Sequence, residues 1–285
     1  MEYKAISLDL DGTLTNSQKK VSDKNKETIF KALDKGIKVI LASGRPLFGI
    51  TSVADILELS KRGGYILAYN GGNIVDCTNG ELIYSRFVPD ECVHDICCEA
   101  QKNNVYAITY YKDYVLAESD EDEYVKKEAF CNGAEIKKVE NLEQFVDYPV
   151  AKYIIVGEHT KLLPVEKALK EKHGNLLDIF FSEDYFLEVV PKGVAKDKSL
   201  EALLDKLNIK REELIACGDG MNDLPMIEYA GLGVAMDNAY PKVKEILSDN
   251  GLTEVLCGAE NTLLFLYGYS WEQNENFDMI YSKYD

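Results

Sequence analysis

Residues 37–42, Ile-Lys-Val-Ile-Leu-Ala, are apolar without alternation apart from one lysine. A strand with one wet face alternates polar and apolar side chains, so an unbroken apolar run marks a strand buried on both faces, with helices above and below it. That requirement excludes simple hairpin sheets and helical bundles. It also fits the flanks. Ser22 is placed to cap a helix carrying Ile29, Phe30 and Leu33 and closed by Gly36. After the run, Pro46 starts a second helix with Ile50, Val53, Ile56 and Leu57 behind it. Apolar runs recur at residues 5–8, 65–69, 214–217 and 232–236. A hairpin pairing Ile74-Val75 with Leu82-Ile83 turns at Asn79-Gly80. Strand, helix, strand, helix, strand is the order of an α/β chain with a doubly wound, parallel, Rossmann-like sheet.

Between residues 88 and 189 the pattern changes. The sequence predicts a helix over 90–103 and aromatic-rich strands at 105–110 and 114–117. An acidic helical stretch from Asp120 follows, then a strand at 153–156, a helix over 161–172, and strands at 177–181 and 186–190. This is an inserted α+β domain of ordinary size. The first pattern then resumes: a helix from Lys196 with Leu200, Leu203, Leu204 and Leu207 on one face, a strand to Cys217, a helix over 224–229, a strand over 232–236 and a helix from Pro241. Gly231 and Gly233 inside that apolar stretch signal close packing or a bend. The expected division is a discontinuous core of residues 1–87 and 190–285 around an inserted domain of 88–189. A final helix is expected near 263–267, with a looser polar tail from Gly268.

The 285 residues carry a net charge of −17, which works against nucleic acid and anionic membrane partners. No run reaches the ~18 apolar residues of a membrane span, and no signal peptide is visible ahead of the first strand. Seven cysteines, an odd number without a C-x-x-C pair, read as reduced thiols of a cytoplasmic protein. An anionic substrate in such a chain needs locally placed cations.

Chemistry is concentrated where the strands end. Asp9 and Asp11 stand at i and i+2 on the first strand, on one side of it, with Gly12 allowing a sharp turn. Two such carboxylates call for a divalent metal, an acid–base pair, or both. Ser43-Gly44-Arg45-Pro46 joins the second strand to a helix N-terminus, where backbone N–H groups and the helix dipole suit phosphate. Gly218-Asp219-Gly220-Met221-Asn222-Asp223 closes another strand with two more carboxylates, and Lys196 opens the preceding helix. Ligands of open parallel sheets bind at these carboxyl ends.

In order and spacing the four clusters resemble the haloacid dehalogenase-like (HAD) hydrolases, specifically the Cof-type phosphatases with a large α+β cap between the second and third motifs. Asp9-Leu10-Asp11-Gly12-Thr13 is similar to the first motif, Ala42-Ser43-Gly44-Arg45 to the second, Gly193-Val194-Ala195-Lys196 to the third, and residues 218–223 to the fourth. The resemblance runs from residue 3 to about 245. It implies a Mg²⁺-dependent phosphatase for a small phosphorylated metabolite, with Asp9 as nucleophile and Asp11 as acid/base. Asp9, the Asp11 carbonyl and Asp219 would hold Mg²⁺, with Asp223 ordering the shell. Ser43, Gly44, Arg45, Lys196 and Asn222 would hold the phosphoryl group. The same residues fit transfer to a second hydroxyl, as in a phosphotransferase or mutase, and a non-catalytic phosphate sensor is the third reading. A monomer or weak dimer is expected. The cap supplies the specificity surface, where Tyr106, Tyr110, Tyr111 and Tyr114 either stack on a leaving group or pack the strands. The chain departs from the family pattern in three places. Asp197 follows Lys196 where Gly is usual, Asp237-Asn238-Ala239 stands where Gly-Asn-Ala is usual, and the segment after residue 247 is short.

Overall fold

The computed structural model describes residues 3–249; the helix expected near 263–267, the tail and Cys257 lie outside the described residues. The first half of the core runs β1 (Ala5–Leu8), α1 (Asp23–Asp34), β2 (Lys38–Ala42), α2 (Leu47–Ile56), α3 (Leu59–Arg62), β3 (Tyr65–Ala68), β4 (Asn73–Asp76) and β5 (Leu82–Ser85). The inserted part runs α4 (Asp90–Lys102), β6 (Tyr106–Tyr111), β7 (Tyr114–Ala117), α5 (Glu123–Asn132), β8 (Glu135–Lys138), α6 (Leu142–Phe145), β9 (Tyr153–Val156), α7 (His159–His173), β10 (Leu177–Glu183) and β11 (Phe186–Pro191). The chain returns through α8 (Lys196–Leu207), β12 (Leu214–Gly218), α9 (Leu224–Tyr229), β13 (Leu232–Ala235) and α10 (Pro241–Asp249).

The first sheet has the order β13-β12-β1-β2-β3-β4-β5. β13 to β3 are parallel, and β4 and β5 add an antiparallel edge. Both faces are buried, as the unbroken runs require. Val39 and Leu41 join Ile6, Leu8, Ile50 and Leu57 on one side, while Ile40 and Ala42 join Ala5, Leu200, Leu203 and Met226 on the other. Ser22 caps α1 by accepting from the Asn25 N–H. Gly231 and Gly233 mark close packing: an added Cβ would sit 2.4 Å from the Glu212 carbonyl and 2.3 Å from that of Ile227. The topology places β1 centrally, with β2 and β3 wound to one side and β12 and β13 to the other. Its carboxyl end is therefore a switch point.

The second sheet has the order β10-β11-β9-β6-β7-β8. One face is covered by α4 and α7 through Cys92, Ile96, Leu162, Val165 and Leu169. The other carries Ile108, Tyr110, Ile154 and Phe186, packs Val125 and Ala129 of α5, and meets Phe48 and Tyr69 of the core.

The third apolar run leads into the expected hairpin rather than a helix. It ends at Ala68, turns through a 3₁₀ segment and pairs antiparallel with β4, because the hairpin follows too closely for a crossover. Ile56, assigned to the buried face of α2, is 43% exposed. β8 and α6 were not expected. Glu-Ile-Lys-Lys is a partly exposed edge strand with no apolar run, and α6 is one turn capped by Asn141. Among the described residues no helix is long and apolar enough to cross a membrane. The six described cysteines are all free thiols.

Candidate active site

β1 lies between β2 and β12 with Leu8 opposite Leu41 and Cys217. The residues just beyond these three strands therefore meet in space, although up to 214 positions separate Asp9 from Asp223 in sequence. Lys196, wholly buried at the start of α8, is the hub. Its ammonium donates to Asp9 Oδ1 at 2.6 Å, Asp223 Oδ1 at 2.5 Å and the Ala42 carbonyl at 3.0 Å. Burial alone would drive its pKa down, but the Asp223 and Asp9 carboxylates outweigh this and hold it well above the usual ammonium range.

Asp9 keeps its second oxygen, Oδ2, free of any bond from a described residue. Burial and then repulsion from Asp223 push the Asp9 carboxyl up to about 8 against the pull of Lys196. Asp219 rises to about 6, first from burial and then from Asp223, with a hydrogen bond from Thr13 (2.8 Å) opposing. Asp223 is fully committed: Oδ1 accepts from Lys196 and Oδ2 from the N–H groups of Asp219 (3.0 Å) and Gly220 (2.8 Å). Each of Asp9, Asp219 and Asp223 places an oxygen within 4.8 Å of the other two. Three carboxylates around one ammonium leave an excess of buried negative charge and an all-oxygen donor set, which fits a small hard cation such as Mg²⁺. Gly12, at φ +83°, permits the close approach: a Cβ there would sit 2.6 Å from Asp219 Oδ2.

Asp11 stands apart from this trio. Arg45 grips it with Nε on Oδ2 at 2.7 Å and Nη2 on Oδ1 at 2.5 Å, and Lys19 adds an ion pair. Burial works to raise the Asp11 pKa, yet the two cations hold it below the usual carboxylate range. The guanidinium of Arg45, expected on the phosphoryl group, is thus engaged with Asp11 in this structure; its other described bond goes to the Gly49 carbonyl. Ser43 is buried and its Oγ accepts the Arg45 N–H at 3.2 Å. Asn222 donates to Asn70 Oδ1 at 3.1 Å.

Other contributors carried weak sequence signals. Asn238, in the atypical Asp-Asn-Ala segment, donates to the Gly12 carbonyl at 2.9 Å and to Asp219 Oδ2 at 3.3 Å. Lys19 sits in a polar stretch with no periodicity. Lys152, from the cap, donates to the Gly44 carbonyl at 3.1 Å and pairs with buried Glu188 at 2.8 Å. Of the four cap tyrosines, Tyr110 is a joint rather than an open stacking surface. It is buried, donates to Glu128 at 2.5 Å, and its ring lies 5.9 Å from Phe48 and 5.7 Å from Tyr69.

The chain that builds this arrangement matches a known family model, haloacid dehalogenase-like hydrolase, over residues 6–251. The chain belongs to that family. Within the haloacid dehalogenase-like hydrolases it is similar to the 5-amino-6-(5-phospho-D-ribitylamino)uracil phosphatase YwtE of Bacillus subtilis, 30% identical over 264 residues covering 85% of this chain and 90% of that one. The related YcsE phosphatase of the same name and organism is 29% identical over 249 residues, covering 86% and 88%. Among solved structures, a haloacid dehalogenase-like hydrolase from Bacteroides thetaiotaomicron superposes with a TM-score of 0.87 at 41% identity, covering 93% of this chain and 98% of that one.

Proposed function

We propose that the protein is a Mg²⁺-dependent phosphatase hydrolysing small phosphomonoesters through an aspartyl-phosphate. The observation that carries this reading is Asp9 itself: one oxygen is fixed by Lys196, the other is uncommitted, and it stands at the switch point of the sheet. A phosphate monoester resists attack because its oxygens are anionic, so the protein's task is positioning and charge neutralisation. A bound Mg²⁺, held by Asp9, Asp219 and the Asp11 carbonyl and ordered by Asp223, would offset the charge of the phosphoryl oxygens.

The chain's own residues do the rest. Asp9 Oδ2 attacks phosphorus; the bond from phosphorus to the ester oxygen breaks, and that oxygen takes a proton from Asp11. Water then attacks the aspartyl-phosphate, its proton passes to Asp11, and inorganic phosphate leaves. Acid–base help of this kind is worth roughly 10²–10⁴ in rate. With Arg45 and Lys19 on Asp11, the state described matches the second, base step. The first step requires Asp11 to bind a proton, and so requires that grip to relax. Lys196, together with the positive charge a bound Mg²⁺ would supply, holds Asp9 in the ionised form needed for attack, and Ser43, the Gly44 N–H and Asn222 line the phosphoryl position.

The cap packed against Phe48, Gly44 and Tyr69 supports a leaving group of limited size, of the sugar-phosphate, nucleotide or cofactor-phosphate kind. Relatives named for a ribitylamino-uracil phosphate support the same class. The test is a panel of phosphomonoesters assayed for free phosphate. Release with Mg²⁺, abolished by EDTA and poorly restored by Ca²⁺, is expected, because Ca²⁺ takes more ligands in looser geometry. Full activity in EDTA, or transfer of the phosphoryl group to a second sugar without free phosphate, would refute the proposal.

A further inference from the structure

We infer that Asn70, outside the four motifs, is a phosphate-binding residue: its carboxamide turns Asn222 toward the phosphoryl group and adds a donor of its own. The inference rests on the phosphatase reading and deepens it.

The residue occupies a backbone that nothing local favours. Tyr69 and Asn70 both have φ +55°, two successive non-glycine residues in the left-handed region. For a bulky tyrosine this is costly and needs surrounding structure to enforce it. The enforcement comes from the phosphate loop. The Tyr69 N–H donates to the Arg45 carbonyl at 3.0 Å and the Asn70 N–H to the Ser43 carbonyl at 2.9 Å. The turn is thus fastened on both sides of Gly44.

That fastening sets the carboxamide against Gly44. A Cβ on Gly44 would lie 3.1 Å from Asn70 Oδ1 and 3.2 Å from Nδ2, so the loop residue is kept bare where Asn70 leans on it. Across the cleft, Asn70 Oδ1 accepts from Asn222 Nδ2. This contact fixes which end of the Asn222 amide is which, presenting its N–H side to the cleft.

The donor count then points to a ligand. Each carboxamide carries two N–H donors. Asn222 uses one on Asn70, and Asn70 Nδ2 donates to no described residue. Asn70 is only 9% exposed while Asn222 is exposed, so the uncommitted N–H groups open onto the cleft, where an anion can take the place of water. Uncommitted N–H groups between Ser43-Gly44 and the 219–223 loop, with no acceptor supplied by the chain, complement a tetrahedral oxyanion. In a chain of net charge −17, neutral donors held in place stabilise an anion without adding a buried cation that must itself be balanced.

Asn70→Asp and Asn70→Gly test this. Aspartate keeps the acceptor for Asn222 and tolerates left-handed φ, but replaces the free donor with an anionic oxygen. Glycine keeps the backbone and removes the carboxamide. Titrate inorganic phosphate calorimetrically into each Mg²⁺-loaded protein, and measure kcat and KM on p-nitrophenyl phosphate and a sugar phosphate. Both variants should melt near the wild type. Phosphate affinity should weaken at least roughly tenfold in Asn70→Gly, as loss of bonds to a charged group implies, and further still in Asn70→Asp. KM should rise by similar factors for both substrates. A merely structural role gives the opposite order, since aspartate preserves the contact with Asn222 and glycine does not. Asn70→Asp binding phosphate as well as the wild type, or better than Asn70→Gly, overturns the inference while leaving the phosphatase reading intact. Wild-type protein that neither binds nor releases phosphate removes both.

Discussion

Replacing Lys196 with methionine keeps the volume of the hub and removes its charge. The ammonium is fully buried and holds two carboxylates and a carbonyl at 2.5–3.0 Å. Removing one partner of a buried ion pair costs about 3–5 kcal/mol. At about 2–4 °C of melting temperature per kcal/mol for domains of this size, the expected loss is roughly 6–20 °C, measured in EDTA so that no metal replaces the missing charge. The loss should depend on pH in a definite direction. A carboxyl whose pKa is raised on folding binds its proton more readily in the folded state, so its contribution favours folding at low pH and is lost as pH rises through the folded value. Asp9 already lies at about 8 against an ordinary 3.8, and without Lys196 it must rise further. Because Asp9 is protonated below about 8 in both folded proteins, the gap between variant and wild type should widen only as pH rises through about 8. Activity should fall by at least roughly 10²–10³, as for loss of a charge-stabilising donor, and by similar factors for all substrates. Melting within two degrees of wild type at every pH, or a substrate-selective loss, would refute the role given to Lys196.

Three further perturbations have clear outcomes. Lys152→Met strands buried Glu188 with Ser182 as its remaining partner, costing about 3–5 kcal/mol, and adding Glu188→Gln should recover most of the lost melting temperature; a double variant no better than the single one contradicts the pairing. Tyr110→Phe deletes the bond to buried Glu128 and should cost about 1–3 kcal/mol in chemical denaturation. Asp95 holds Lys172 and His173 across the cap helices, each at 2.7 Å, and these bonds keep its carboxyl below the ordinary range. Asp95→Asn should then lower the melting temperature at pH 7, with the difference vanishing as pH falls through the depressed Asp95 pKa.

The central sheet was legible because strands buried on both faces cannot hide their composition: residues 37–42 and 214–217 state their place without any partner. The strand ends were legible for a related reason. Carboxylates, glycines and a lysine at the ends of apolar runs have no packing purpose, so Asp9, Ser43, Lys196 and Asp219 stand out. Residues whose role depends on what crosses the cleft were not legible. Lys152 precedes a strand like any edge lysine, and only the folded chain carries it to the Gly44 carbonyl. Asn70 sits before two glycines and reads as an ordinary turn until Tyr69 is seen sharing its positive φ. The partner of Arg45 was not legible for the same reason: a cation beside a phosphate loop suggests phosphate, and only the folded chain shows its fork on the Asp11 carboxylate. The edge strand β8 escaped because exposed edges carry polar residues and so lose the apolar signal.

Asp9→Asn offers the most direct measurement. Asparagine preserves the shape of the side chain and the acceptor for Lys196 but removes the anionic oxygen that would attack phosphorus. Phosphate release from a reactive monoester in Mg²⁺ should fall below detection while circular dichroism remains that of the wild type. A folded Asp9→Asn protein releasing phosphate at a near-normal rate would contradict covalent catalysis at this site.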